Sequence, residues 1–202
     1  MLAIVLSRRD FRESDQIISL YTLEKGKLDL LARGVKKITS KNSAHLEPFS
    51  VVDIDIAYGK ELDHLTKVQP VEYFKHIRTN LQKSLAAQIV VSVTDKFVHV
   101  EEVDERVFVA LQSWLEFLND TSVISSFKLL LDGYMVVFLH CLGFTITEDQ
   151  KMNRWVQALT ILQSGEWEAV NELEYDPVIH QKIYHFFVYQ TEKKVLDWAK
   201  LA

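Results

Sequence analysis

Between Pro70 and Asn80 the hydrophobic period of this 202-residue chain changes, and that change limits the architectures open to it. Before it, apolar residues come in short, mostly alternating runs punctuated by glycine, the two-residue period of strands. After it they recur every three or four residues, the period of helices. One repeating pattern cannot serve both layers. The chain therefore reads as an α+β protein, with a β part over residues 1–75 and an all-helical part over 76–202. No tract rich in Pro, Gly or Ser separates the two.

Five strands are expected in the first part. Leu2–Leu6 is a short β-prone run, Ser7–Ser14 a charged turn, and Gln16–Leu23 a strand with apolar groups on both faces. Glu24–Lys25–Gly26 turns into Gly26–Gly34, because glycine tolerates the positive φ of a tight hairpin. Phe49–Tyr58 puts Val52, Ile54 and Ile56 inward and Asp53 and Asp55 outward. Tyr58–Asp63 leads into Leu62–Gln69, which Pro70 ends by removing a backbone donor. Five strands in about 70 residues, with one long connection between the third and fourth, fit the OB-fold, a partly open β-barrel. The ligand face of that fold is strands two and three, with the loops joining strands one to two and four to five.

The helical part begins with a row at Leu81, Leu85, Ile89, Val93 and Phe97. Asp104 is placed to cap a second helix through Val107, Leu111, Trp114 and Leu118. Ser125–Leu142 is apolar almost all round, as a central helix is, with Gly133 marking a close approach and Gly143 the stop. Asn153–Gln163 and Glu166–Glu172 are shorter pieces, and a last helix runs from Asp176–Pro177 through Trp198.

Charge is divided as unevenly as period. The chain carries −5 overall, but residues 1–80 hold 13 basic and 11 acidic groups, whereas residues 81–202 hold 10 and 17. Within Gly26–Lys41, Lys27, Arg33, Lys36, Lys37 and Lys41 face Asp29 alone. A basic patch on an acidic protein concentrates polyanions in one place by releasing their condensed counterions. The loop after strand one adds Arg8, Arg9 and Arg12, and the loop before strand five adds Lys60. Phe11, Tyr21 and Tyr58 are the aromatic candidates for base stacking.

Catalytic chemistry has no comparable signal. GxGxxG, GxxxxGK[ST], GxSxG and HExxH are all absent, so no catalytic residue is assigned and a non-enzyme is expected. Single Cys141 excludes an internal disulfide or a CxxC zinc site, and neither metal nor cofactor is expected. His140–Cys141 reads as a buried pair in the central helix, and His180 and His185, five apart, do not share a helix face. No signal peptide is expected at the amino terminus, and the longest apolar run, Tyr134–Leu139, is far short of the roughly 20 residues a bilayer requires, so a cytoplasmic protein without a membrane partner is expected. On residues alone, an OB-fold module that binds RNA or docks proteins is the open alternative to one that binds DNA.

The segments SRRDFRESDQIISLYTLEKGKLDLLARGVKK and HLEPFSVVDIDIAYGKELDHLTKVQPVEYF carry, in order, the SD before strand two, T-x-E-x-G-K, L-x-A-R-G-x-K-K, L-x-P-F-S and the G-x-E-L-x-x-L-T hairpin. In this order they resemble the amino-terminal half of the bacterial recombination mediator family RecO. SFKLLLDGYMVVFLHCLGF is similar, more loosely, to the family's central helix. The resemblance implies an OB-fold joined to a helical domain, binding of single- and double-stranded DNA, strand annealing, a RecR-like partner, and docking on the acidic tail of single-stranded-DNA-binding protein so that recombinase is loaded. It also implies a nucleoid-associated location. By position, Arg33, Lys36 and Lys37 match the family's basic segment and are the first candidates for phosphate contact, with Lys41, Arg8, Arg9 and Arg12 second. The chain departs from the family at two points. It lacks the four zinc-binding cysteines, with Thr145–Asn153 in their place, and Ser125, Ser126 and Lys128 stand where an arginine and a glutamate are usual. Lys128 is the candidate for contact with the acidic tail.

Overall fold

The computed structural model describes residues 1–38, 40, 42–146, 153–192 and 198–201. The chain clusters into two compact units, Met1–Lys75 with Val91–Phe108, and His76–Val90 with Val109–Ala202.

The first unit is built on a closed OB-fold barrel of order β1-β2-β3-β5-β4, with β1 Leu2–Asp10, β2 Gln16–Thr22, β3 Gly26–Ala32, β4 Val51–Ala57 and β5 His64–Glu72. Ala3, Val5, Ile18, Leu20, Leu30, Val52 and Ile54 fill its interior. β1 is longer than expected, because a bulge between Val5 and Ser7 lets it continue pairing through Asp10. A bulge reverses which face each later side chain takes. Arg8 therefore pairs across from the core residue Ile18, and Arg9 across from Ile17 on the other face. Arg8 and Arg9 are thus strand residues, not loop residues as the sequence suggested. β5 also overruns its expected stop: Pro70 lies opposite Val52 next to a register irregularity, where a missing donor is tolerated.

On the outer face, Ser7, Ser19 and Lys27 of three adjacent strands converge on Asp95. The two hydroxyls donate to its carboxylate at 2.7 and 2.6 Å, and the Lys27 ammonium lies 2.8 Å from Oδ1. Tyr21, fully buried, donates its hydroxyl to the Asp104 carbonyl at 3.0 Å. Gly26, at φ +64, has no room for a Cβ, which would sit 2.0 Å from the Glu102 carbonyl oxygen.

The helices are α1 Lys75–Arg78, α2 Leu81–Phe97, α3 Glu105–Asp120, α4 Phe127–Cys141, α5 Asn153–Ser164, α6 Trp167–Glu172 and α7 Pro177–Thr191, followed by a 3-10 turn, Trp198–Leu201. α2 spans the expected row but buries only part of it, with Val93 buried and Ile89 and Phe97 half-buried. Leu81 and Leu85 are exposed, while Ala86, Ala87, Val90 and Val91 are buried. A row spaced by four advances about 40° per step on a helix of 3.6 residues per turn, so it cannot follow one face for long. In the second unit α4 is central, capped by Ser126, whose hydroxyl accepts from the Leu129 amide at 3.3 Å. Gly133 admits α6, since a Cβ there would be 3.1 Å from Val170 Cγ1. The buried Trp114 indole donates to the Leu130 carbonyl at 3.1 Å. α7 ends at Thr191, short of the expected Trp198, with Glu192 in the left-handed region. Buried Asp132 accepts from His180 at 2.8 Å and from the Trp198 indole at 2.6 Å. His140, expected to be buried beside Cys141, is exposed.

Candidate nucleic-acid interface

Three segments meet at the carboxyl end of β3. The loop 11–15 is tied to the chain after β3 by the Gly34 amide, which donates to Asp15 Oδ1 at 2.8 Å, and by the Lys36 amide, which donates to the Ser14 carbonyl at 3.1 Å. Gly34 holds φ +66 there, a backbone geometry other residues adopt only with strain. The loop 58–63 reaches the same place through Leu31, whose amide donates to the Asp63 carbonyl at 2.9 Å, and through Arg33, whose guanidinium lies 3.1 Å from His64 Nε2. Arg12, Arg33, Lys37 and Lys60 are exposed side chains on these three segments.

The cations proposed from the sequence differ in whether they already have a counterion. Arg8 lies 2.6 Å from Glu47, Arg9 2.7 Å from Asp29 and Lys36 2.7 Å from Asp10. Lys27 is committed to Asp95 and largely buried. Among the described residues, Arg12, Lys37 and Lys60 have no acidic partner, and Arg33 faces only His64. A cation already paired releases less counterion when it meets a phosphate, and these four are the ones without an acidic partner among the described residues. The Lys36–Asp10 pair is exposed and of the weak surface kind. The hydrogen bond from Lys36 holds the Asp10 carboxyl below its ordinary range. Lys41 lies outside the described residues.

Of the aromatic candidates, Phe11 is 42% exposed, with the Arg12 guanidinium 5.0 Å from its ring centroid, so loop 11–15 presents a flat, cationic pair. Tyr21 is buried and cannot stack on a base. Tyr58 is exposed, with the Lys25 ammonium 4.9 Å from its ring centroid. The counterions Asp10, Asp29 and Glu47 and the Arg33 neighbour His64 were missed by reading the sequence, which holds no local signal for contacts 20 to 39 residues apart.

In the helical unit, Lys128 borders an apolar groove formed by Leu85, Ala86 and Ile89 of α2, Phe127 and Leu131 of α4, and Trp198. Its ammonium is 5.8 Å from the Tyr175 ring centroid. Among the described residues, no three His, Cys, Asp or Glu side chains group to hold a metal, and no helix is long and apolar enough to cross a membrane.

A closed five-strand barrel of this order, with cations on its loops that lack acidic partners among the described residues, defines an OB-fold domain. Residues 1–74 match the family model for Recombination protein O N terminal, and this domain belongs to that family. Similarity continues into the helices. The DNA repair protein RecO of Desulforamulus reducens is 30% identical over 135 residues, 65% of this chain and 53% of the relative. That of Geobacter metallireducens is 31% identical over 147 residues, 73% and 59%. That of Nocardioides sp. is 28% identical over 163 residues, 76% and 67%. The chain therefore spans between half and two thirds of the length of these relatives.

Proposed function

We propose that this chain is a DNA-binding recombination mediator. It binds single- and double-stranded DNA through the phosphate backbone, anneals complementary strands, and helps load recombinase on strands coated with single-stranded-DNA-binding protein. The observation that carries this reading is the set Arg12, Arg33, Lys37 and Lys60, which lack acidic partners among the described residues and lie where three segments meet on a barrel of the RecO amino-terminal family. Annealing needs no acid, base or metal. It needs phosphate repulsion between two strands to be screened while the bases stay free to pair, and guanidinium and ammonium groups on loops do that without sequence preference. Phe11 adds a face on which one base can stack.

Docking of the acidic tail belongs to the same proposal. The groove beside Lys128 offers apolar walls and one cation, and the cation suits an acidic peptide. A RecR-like partner is proposed from family likeness alone, as is a cytoplasmic, nucleoid-associated location. The deciding experiment is annealing of complementary labelled oligonucleotides with and without single-stranded-DNA-binding protein. Acceleration on both bare and coated strands is expected. No acceleration on either would refute the proposal, and a preference for RNA strands would favour the RNA-binding reading. A peptide copying the acidic tail is expected to bind the full chain at low salt and to lose affinity in Lys128→Ala.

A further inference from the structure

β3 pairs with β5 at Leu31–His64, leaving the first half of its edge for other company. The segment after α2 takes part of it: Val100 bridges Lys27, and the Glu101 amide donates to the Lys27 carbonyl at 2.9 Å. Between that segment and the β4–β5 hairpin lies a cavity of about 250 Å³. Leu28 and Ile56, which also belong to the barrel core, line it together with the exposed Val103. This gap between the segment and the hairpin therefore has apolar groups in its lining.

The same cavity is lined by three carboxylates, Glu24, Asp63 and Glu101, against one ammonium, Lys25. Lys25 donates a hydrogen bond to the Tyr58 hydroxyl, and its nitrogen is 4.9 Å from the ring centroid. That bond, with attraction from Asp63 and Glu101, raises the Lys25 pKa above its ordinary value, so the opening already stabilises a cation from its own chain. Tyr58 is 73% exposed, with its ring available to a second cation. Glu101 stands at φ +63, a left-handed conformation costly for a residue with a Cβ, and its hydrogen bond to Lys27 holds it beside the cavity.

We propose that this opening is a docking socket for a cationic segment of a partner protein, in which one apolar side chain enters the gap and flanking lysine or arginine side chains meet Glu24, Glu101 and the Tyr58 face. Charge sign selects the partner. Three carboxylates against one ammonium repel phosphate, so the socket is distinct in chemistry from the phosphate-attracting end of β3. Size selects what enters. The cavity is smaller than the roughly 300–1,000 Å³ of small-molecule sites, which suits a single side chain better than a cofactor.

The test uses the full chain and a labelled heptapeptide of alternating lysine and leucine, with glutamate replacing lysine in the control peptide. The basic peptide is expected to bind at low salt and the acidic one not to bind. Glu24→Gln with Glu101→Gln is expected to weaken the basic peptide about tenfold while leaving single-stranded oligonucleotide affinity within about twofold. Glu168→Gln with Glu172→Gln, remote in sequence from the socket residues, is expected to leave peptide affinity unchanged. The proposal is overturned if the basic peptide fails to bind, if the remote pair weakens it as much as the socket pair does, or if Tyr58→Ala weakens the oligonucleotide instead, which would make the gap a nucleotide site.

Discussion

The salt dependence of DNA binding can be worked out from the ion pairs. For single strands, log affinity falls by about 0.7 per log unit of salt for each phosphate neutralised. Arg12, Arg33, Lys37 and Lys60, without acidic partners among the described residues, give a slope near −2.8, and Lys41 adds at most about 0.7 to its magnitude. Raising salt from about 50 to 200 mM should then weaken binding roughly 50-fold. Were all eight cations named from the sequence fully effective, the slope would be about −5.6 and the loss about 2,000-fold. Anisotropy of a labelled single-stranded oligonucleotide over a salt series separates the two. Arg12→Ala with Lys37→Ala should bring the slope to about −1.4, whereas Arg9→Ala, whose guanidinium is held by Asp29, should leave it unchanged. Asp10→Asn should steepen it by up to about 0.7, because it frees Lys36. A parent slope near −5.6, or an Asp10→Asn variant that binds more weakly, would refute the reasoning that paired cations contribute little.

Burial pushes the Asp95 carboxyl up, but hydrogen bonds from Lys27, Ser19 and Ser7 outweigh it and hold the group below its ordinary value. A carboxylate lowered on folding contributes stability that is present above its unfolded pKa, about 3.9, and is lost as pH falls through the folded value. Denaturant melts should show the parent losing stability below about pH 4 and Asp95→Asn losing less over that range, from a lower starting stability at neutral pH. Gly26→Ala should lower stability by more than about 2 kcal/mol, since the new methyl meets the Glu102 carbonyl and φ is +64; an unchanged urea midpoint would contradict the close approach. Gly133→Ala crowds Val170, for which a cost of about 1–3 kcal/mol is expected in the same assay, and adding Val170→Ala should recover part of it.

Much of the fold was legible in the chain because its causes are short-ranged. The change of period near Phe74, the glycine that opens β3, the Asp104 cap, the Pro177 start of α7 and the glycine inside α4 each act through a few neighbouring residues, and the observed elements follow them. The failures came where distant groups decide. A bulge opposite Ser19 and Leu20 reverses the faces of Arg8 and Arg9, Pro70 is accepted because of the register of β4, and α2 leaves Leu81 and Leu85 of its expected row exposed while burying Val93.

The candidate site divides the same way. Sequence by itself determined that cations cluster near the end of strand one and after strand three, because they lie close together along the chain there. Only the tertiary structure decided which of them keep an unpaired charge. Arg8 meets Glu47, Arg9 meets Asp29 and Lys36 meets Asp10 across 20 to 39 residues of chain, and a Coulomb interaction depends on separation in space, which the order of residues does not encode.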